Sequence, residues 1–120
     1  MNIEQFRDYC LSKKATTEHF PFDNDVLVFK VLNKMFALAS LKQWESGDGY
    51  INLKCNPEYA IELRESFESI KPGYHMQKQQ WNSVYIHRDE LKPQLIFELI
   101  DHSYDMIVKG MTKKMRESLQ

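Results

Sequence analysis

Ile3, Phe6 and Cys10 recur at intervals of three and four, the period of an amphipathic helix. Asn2 and Gln5 have the spacing of a capping box at its start, and Lys13 and Lys14 follow where cations favour a helix C-terminus, so the helix is predicted to run to about Ser12. Thr16–Phe22 (TTEHFPF) is aromatic and β-branched, but Pro21 confines it to an edge strand or an irregular extension. The Asp23-Asn24-Asp25 cluster is a turn. An apolar strand over Val26–Leu32, interrupted only by Lys30, turns at Asn33-Lys34 into a returning strand over Met35–Leu41. After the turn Ser46-Gly47-Asp48-Gly49, strict alternation over Tyr50–Lys54 points Ile51 and Leu53 inward. The pattern is an antiparallel meander of three or four strands.

Asn56-Pro57 opens a second helix, because Asn caps and proline at the first position loses no needed donor. Ala60, Leu63 and Phe67 are its buried stripe to about Ser69, and Glu58, Glu62 and Glu65 its solvated face. Lys71–Ile86, KPGYHMQKQQWNSVYI, reads as a loop and two short strands. From Pro93 to about Lys109 runs the strongest helical pattern, with Ile96, Ile100, Tyr104 and Val108 on one face and Gln94, Glu98, Asp101 and Asp105 on the other. Gly110 stops it, and residues 111–120 are predicted to be an exposed, frayed tail. Helix, strands, helix, two short strands and long helix make an α+β domain, with helices packed on one face of an antiparallel sheet.

Composition adds limits. At 120 residues the chain is one domain, 1–120, and 42% hydrophobic with 28% charged residues is ordinary for a globular protein. No apolar run approaches the roughly 20 residues that cross a bilayer. The N-terminus lacks the basic flank and apolar segment of a signal peptide. Cys10 and Cys55 form no CxxC, so a reducing cytoplasm is the expected location. A monomer is expected. The net charge of −1 argues against an all-over polyanion binder, but the balance is uneven: through Glu68 there are 8 basic and 11 acidic residues, and from Ser69 onward 8 and 6. No carboxylate lies between Glu68 and Asp89, and Lys109–Arg116 carries four positive charges and no negative one.

The motifs of common enzyme classes are missing: there is no GxSxG, no Walker loop and no HExxH. His19, His75, His87 and His102 lack ligand spacing; His75 and His87, if they faced each other across adjacent strands, would supply two zinc ligands where a site wants three or four. No metal, no cofactor and no catalytic residue is therefore expected. Cys55 is the one candidate for a lowered thiol pKa, since it precedes a helix N-terminus, but no base is paired with it.

Two binding surfaces are open to the chain. Lysines beside aromatics can touch phosphates while rings stack on bases; His75, Lys78, Trp81, Arg88, Lys109, Lys113 and Lys114 are the materials for such a nucleic-acid surface. Alternatively Tyr74, His75 and Trp81 line a groove for a protein or small ligand. Against both, Trp81 and Tyr74 have the size of rings that cap a core.

Five segments carry a resemblance: TEHFPFDNDVLVFKV (Thr17–Val31), KMFAL (Lys34–Leu38), INLKC-NP (Ile51–Pro57), PGYHM-K--W-SV (Pro72–Val84) and SYDMIVKGMTKK (Ser103–Lys114). In them the chain resembles the MmcQ/YjbR family over essentially its whole length. The resemblance implies a CyaY-like, frataxin-like fold and a non-enzymatic protein that binds DNA, a label resting on fold analogy. Frataxin-like iron binding does not carry over, because the first helix offers only Glu4 and Asp8.

Overall fold

Leu32 and Asn33 both hold positive φ, 45° and 69°, as a two-residue type I′ turn requires. In the computed structural model, which describes residues 1–119, this turn joins β2 (Val26–Val31) to β3 (Lys34–Ser40). It lies one residue before the predicted Asn33-Lys34, because Lys34 is already paired with Val31. Around the hairpin run α1 (Ile3–Leu11), β1 (Thr16–His19), α2 (Leu41–Glu45), β4 (Tyr50–Lys54), α3 (Pro57–Ser66), β5 (Ile70–Pro72), β6 (Trp81–Tyr85), α4 (Pro93–Lys109) and α5 (Lys113–Glu117). The strands form one antiparallel six-stranded sheet in the order β1-β2-β3-β4-β6-β5. The fold is thus α+β, with β1 at the edge where Pro21 placed it. No helix among the described residues is long and apolar enough to cross a membrane.

Phe29 pairs with Ala37 but Lys30 with Met35, so Phe36 is an extra residue in β3. Such a bulge lets two successive side chains turn to one side, and Phe36 and Ala37 both enter the main core. There they meet Phe6 and Cys10 of α1, Leu63 of α3, and Ile96 and Ile100 of α4. Continuing the β3–β4 register (Ala37 opposite Leu53, Leu38 opposite Asn52) would set Phe36 opposite Lys54. A buried hydroxyl stands there instead: Ser103 Oγ of α4 donates to Phe36 O and accepts from Lys54 N at 2.9 Å. The long helix is stitched into the sheet at the point where the bulge opens it. The buried line of α4 accordingly runs through Ile96, Leu99, Ile100 and Ser103, leaving Tyr104 and Val108 half-buried at its side.

Three boundaries differ from the sequence pattern. β3 ends at Ser40, whose Oγ accepts from Gln43 N at 3.3 Å and caps the unforeseen helix α2. α3 ends at Ser66 rather than Ser69, with Phe67 extended. The Glu90 carboxylate accepts from Glu68 N and Ser69 N at 3.2 and 2.7 Å, and the bonds from Ser69 hold its carboxyl below the ordinary value. The tail, expected to fray, contains α5, because Met111 is buried and Met115 and Leu119 pack on the core. Gln120, its last residue, lies outside the described residues.

At the start of α3, Asn56 N donates to His102 Nε2 at 3.1 Å, a bond that only the unprotonated nitrogen accepts. Burial lowers the His102 pKa from its ordinary 6.5. A group depressed in this way contributes stability that is present above pH 6.5 and is lost as pH falls through its folded value. The urea midpoint is expected to fall below pH 6.5 with a slope that His102→Gln reduces; an unchanged slope in that variant would assign the loss elsewhere.

Candidate functional site

The helices cover one face of the sheet; the other carries a smaller cluster of Val28, Leu38 and Trp81, with Val26, Met35 and Met76 against it. Val28, Leu38, Asn52 and Ser83 are successive partners and form one row across this face. Asn52 and Ser83 are buried polar groups, and burial without partners would be costly. They are satisfied by each other and by the Tyr74 backbone: Ser83 Oγ donates to Asn52 Oδ1 and accepts from Tyr74 N at 2.9 Å, and Asn52 Nδ2 donates to Tyr74 O at 3.1 Å. A Cβ on Gly73 would lie 2.8 Å from Trp81 Cβ, so glycine is what lets the loop close onto the tryptophan. His75 then takes φ 59°, a region L side chains seldom adopt, and its ring sits 4.0 Å, centroid to centroid, from that of Tyr74.

This pinned loop is one wall of a groove of about 250 Å³. Phe22 lies on the lining with Tyr74, His75 and Met76, and Val26, Met35, Leu38, Ala39 and Tyr50 are the other apolar contributors. Phe22 is 62% and Tyr74 55% exposed, the two most exposed of the large hydrophobic side chains among the described residues. Tyr50 packs edge-on to Tyr74 and tilted against Tyr85, at 6.2 and 5.1 Å. Burial, then the neighbouring tyrosines, then Asp25 push its phenol above the ordinary value. At this end Asp25 Oδ2 accepts from Ser40 Oγ at 2.6 Å and Oδ1 from Lys42 N at 2.7 Å.

Of the residues singled out in the sequence, Tyr74 and His75 are brought together on the groove. Trp81 is corrected: at 7% exposure it is core beneath Met76, because Val28 and Leu38 reach it from strands distant in sequence, and it presents no stacking face. Arg88 forms a bidentate pair with Asp48, both contacts 2.9 Å, and lies 3.9 Å over the Tyr85 ring. Lys78 Nζ donates to Gly73 O at 3.3 Å. Lys109 borders a different groove with Lys54 and Gln80, and Lys113 and Lys114 lie exposed on α5. Of these basic residues Arg88 lies over a ring, that of Tyr85, and none lines the groove.

The expected helix effect on Cys55 is also corrected: burial pushes its thiol up to about 11. His87 Nδ1 accepts from Gly49 N at 3.1 Å, and its ring packs on Trp44 rather than facing His75. No group of three or more His, Cys, Asp or Glu side chains suited to a metal converges among the described residues. Phe22, Met35, Leu38, Tyr50 and Met76 were not foreseen as site residues. One signal was available, since a near-continuous apolar run such as VLVFKV (Val26–Val31), broken only by Lys30, marks a strand buried on both faces.

A family model described as YjbR matches residues 11–106. The chain is 38% identical over 95 residues to Uncharacterized protein YbdF of Escherichia coli O157:H7, covering 79% of this chain and 75% of that protein. It is 29% identical over 119 residues to Uncharacterized protein YjbR of Escherichia coli K12, covering 99% and 98%. Among solved structures, protein DR2400 of Deinococcus radiodurans, a DUF419 domain, superimposes with a TM-score of 0.88 at 36% identity, covering 98% of this chain and 87% of that one. A Pseudomonas syringae protein gives 0.74 at 31% identity, covering 88% and 98%.

Proposed function

The chain belongs to the YjbR family, and on that footing we propose that it is a non-catalytic binding module that takes a small organic ligand in the groove bordered by Phe22 and Tyr74. The observation that carries this is the exposure of two large rings, 62% and 55%, on one apolar groove. Exposed apolar surface gathered around a concavity marks binding sites. The volume supports it: a closed apolar cavity of about 150 Å³ accepts benzene, and this groove offers about 250 Å³. So does preorganisation, because the Asn52–Ser83 pair holds the Tyr74 backbone and less ordering is needed on binding. The element order supports the CyaY-like reading of the fold, and the two unpaired, buried cysteines support a cytoplasmic one.

Duplex DNA would be met by Lys78, Arg88, Lys109, Lys113 and Lys114. Their geometry supports that less, since Arg88 is occupied by Asp48 and Lys109 borders another groove. A low-salt titration with duplex DNA separates the two readings, because phosphate contacts weaken steeply as salt rises.

The groove is tested with the neutral fluorophore N-phenyl-1-naphthylamine. Saturable single-site enhancement is expected, weakened at least about tenfold in the Phe22→Ala/Tyr74→Ala double variant, whose lost ring area is that of exposed, fold-neutral positions. Equal affinity in the two proteins, with circular dichroism unchanged, would end the proposal.

A further inference from the structure

Resting on the groove reading above, we infer that the ligand is an organic cation, with a quaternary or methylated ammonium group seated among Phe22, Tyr50 and Tyr74 on the side of Asp25. The lining contains no lysine or arginine; His75 is its one basic side chain. Three aromatic rings and the thioethers of Met35 and Met76 border the space. Ring faces attract cations and repel anions, and several rings around one site are how quaternary ammonium groups are recognised.

Charge agrees with the rings. Asp25 is bonded to Ser40, itself on the lining, and its field reaches the Tyr50 phenol. Asp23 adds a second carboxylate in the same turn, accepting from Asp25 N and Val26 N at 2.8 Å each. Those bonds hold the Asp23 carboxyl below its ordinary value. Four cations lie near: Lys42, exposed at the start of α2; Lys30, the ladder partner of Met35 at the far end of β3 from Ser40; Lys78, which donates to Gly73 O beside Tyr74; and Arg88, paired with Asp48 and stacked on Tyr85. None of them lines the groove. An anion would lie in the field of the Asp25 carboxylate, which sits behind Ser40 and off the lining, with no compensating side chain on the lining but His75. A neutral ligand would use the rings and leave the carboxylates unengaged. A cation uses both.

The test compares choline with 3,3-dimethyl-1-butanol, its uncharged carbon isostere, each titrated into the full chain and followed by amide chemical shifts. Choline is expected to shift Phe22, Tyr50 and Tyr74 saturably and to bind at least about fivefold more tightly than the isostere. Tyr74→Leu keeps an apolar wall and removes the π face; there, and in Asp25→Asn, the preference is expected to vanish while N-phenyl-1-naphthylamine still binds. Since Asp25 also holds Ser40 and Lys42, the exposed Tyr74→Leu variant decides the matter if Asp25→Asn melts early. Isostere binding as tight as choline, choline shifts confined to other residues, or no choline binding each overturns the cation while N-phenyl-1-naphthylamine binding keeps the groove. Loss of that neutral probe as well overturns the groove itself.

Discussion

Ser103→Ala is expected to cost the fold about 3 kcal/mol, from one buried and one part-buried backbone group deprived of a partner at roughly 1–3 kcal/mol each. The groups are Phe36 O at the β3 bulge and Lys54 N at the end of β4, which the single hydroxyl now bridges. They cannot simply meet, because the extra residue in β3 holds them apart at the point where the register would have paired them. Urea denaturation reads the loss as a lower midpoint with unchanged slope. A loss under about 1 kcal/mol would mean that the strands close up and pair directly, and that the bulge is not fixed by the helix.

Arg64→Met is expected to cost about as much, roughly 3 kcal/mol, since hydrogen bonds from a charged donor contribute about 1.5–3 kcal/mol each. Arg64 Nε donates to Asn82 Oδ1 at 2.7 Å, and Nη2 donates to Trp81 O at 3.1 Å and to Lys78 O. Asn82 is buried and its Nδ2 has no partner, so the variant would strip the amide of its remaining bond. Amide exchange over residues 77–81 should accelerate, and because Trp81 packs with Met76, which lines the groove, probe binding should weaken too. Arg64→Lys should recover less than half of the loss, as an ammonium is a point donor without the planar fork. Full recovery by lysine would show that charge alone matters there.

Much of the architecture was legible because it is local. The capping box at Asn2, proline after Asn56, the stripe through Ile96 and Ile100, and the edge position forced by Pro21 each depend on residues within one turn or one strand. Even α2 had a local signal, Ser40 three residues before Gln43. The site was harder to read. Tyr74 and His75 stood out as rings in an acid-free segment, but the surface they border needs Phe22, Leu38 and Tyr50 from three other segments. Which of them share a face depends on strand register, and the Phe36 bulge shifts that register by one residue within β3. Trp81 shows the cost: its immediate sequence neighbours are polar, and the buried residues of its cluster, Val28 and Leu38, lie more than forty residues away.

The strand order has a consequence for behaviour in concentrated solution. An open sheet has two edges, and an exposed edge is a template onto which other strands can add. Here β5 offers only Ile70–Pro72 and ends on a residue without an amide hydrogen. The opposite edge, β1, offers Thr16–His19, is followed directly by Phe20 and Pro21, and carries the Arg7–Glu18 ion pair. Neither border presents a long, flat run of free hydrogen-bonding groups. The length and composition of the outermost strands therefore resist edge-to-edge growth, and the broad apolar surfaces of β2 and β3 stay in the middle of the sheet.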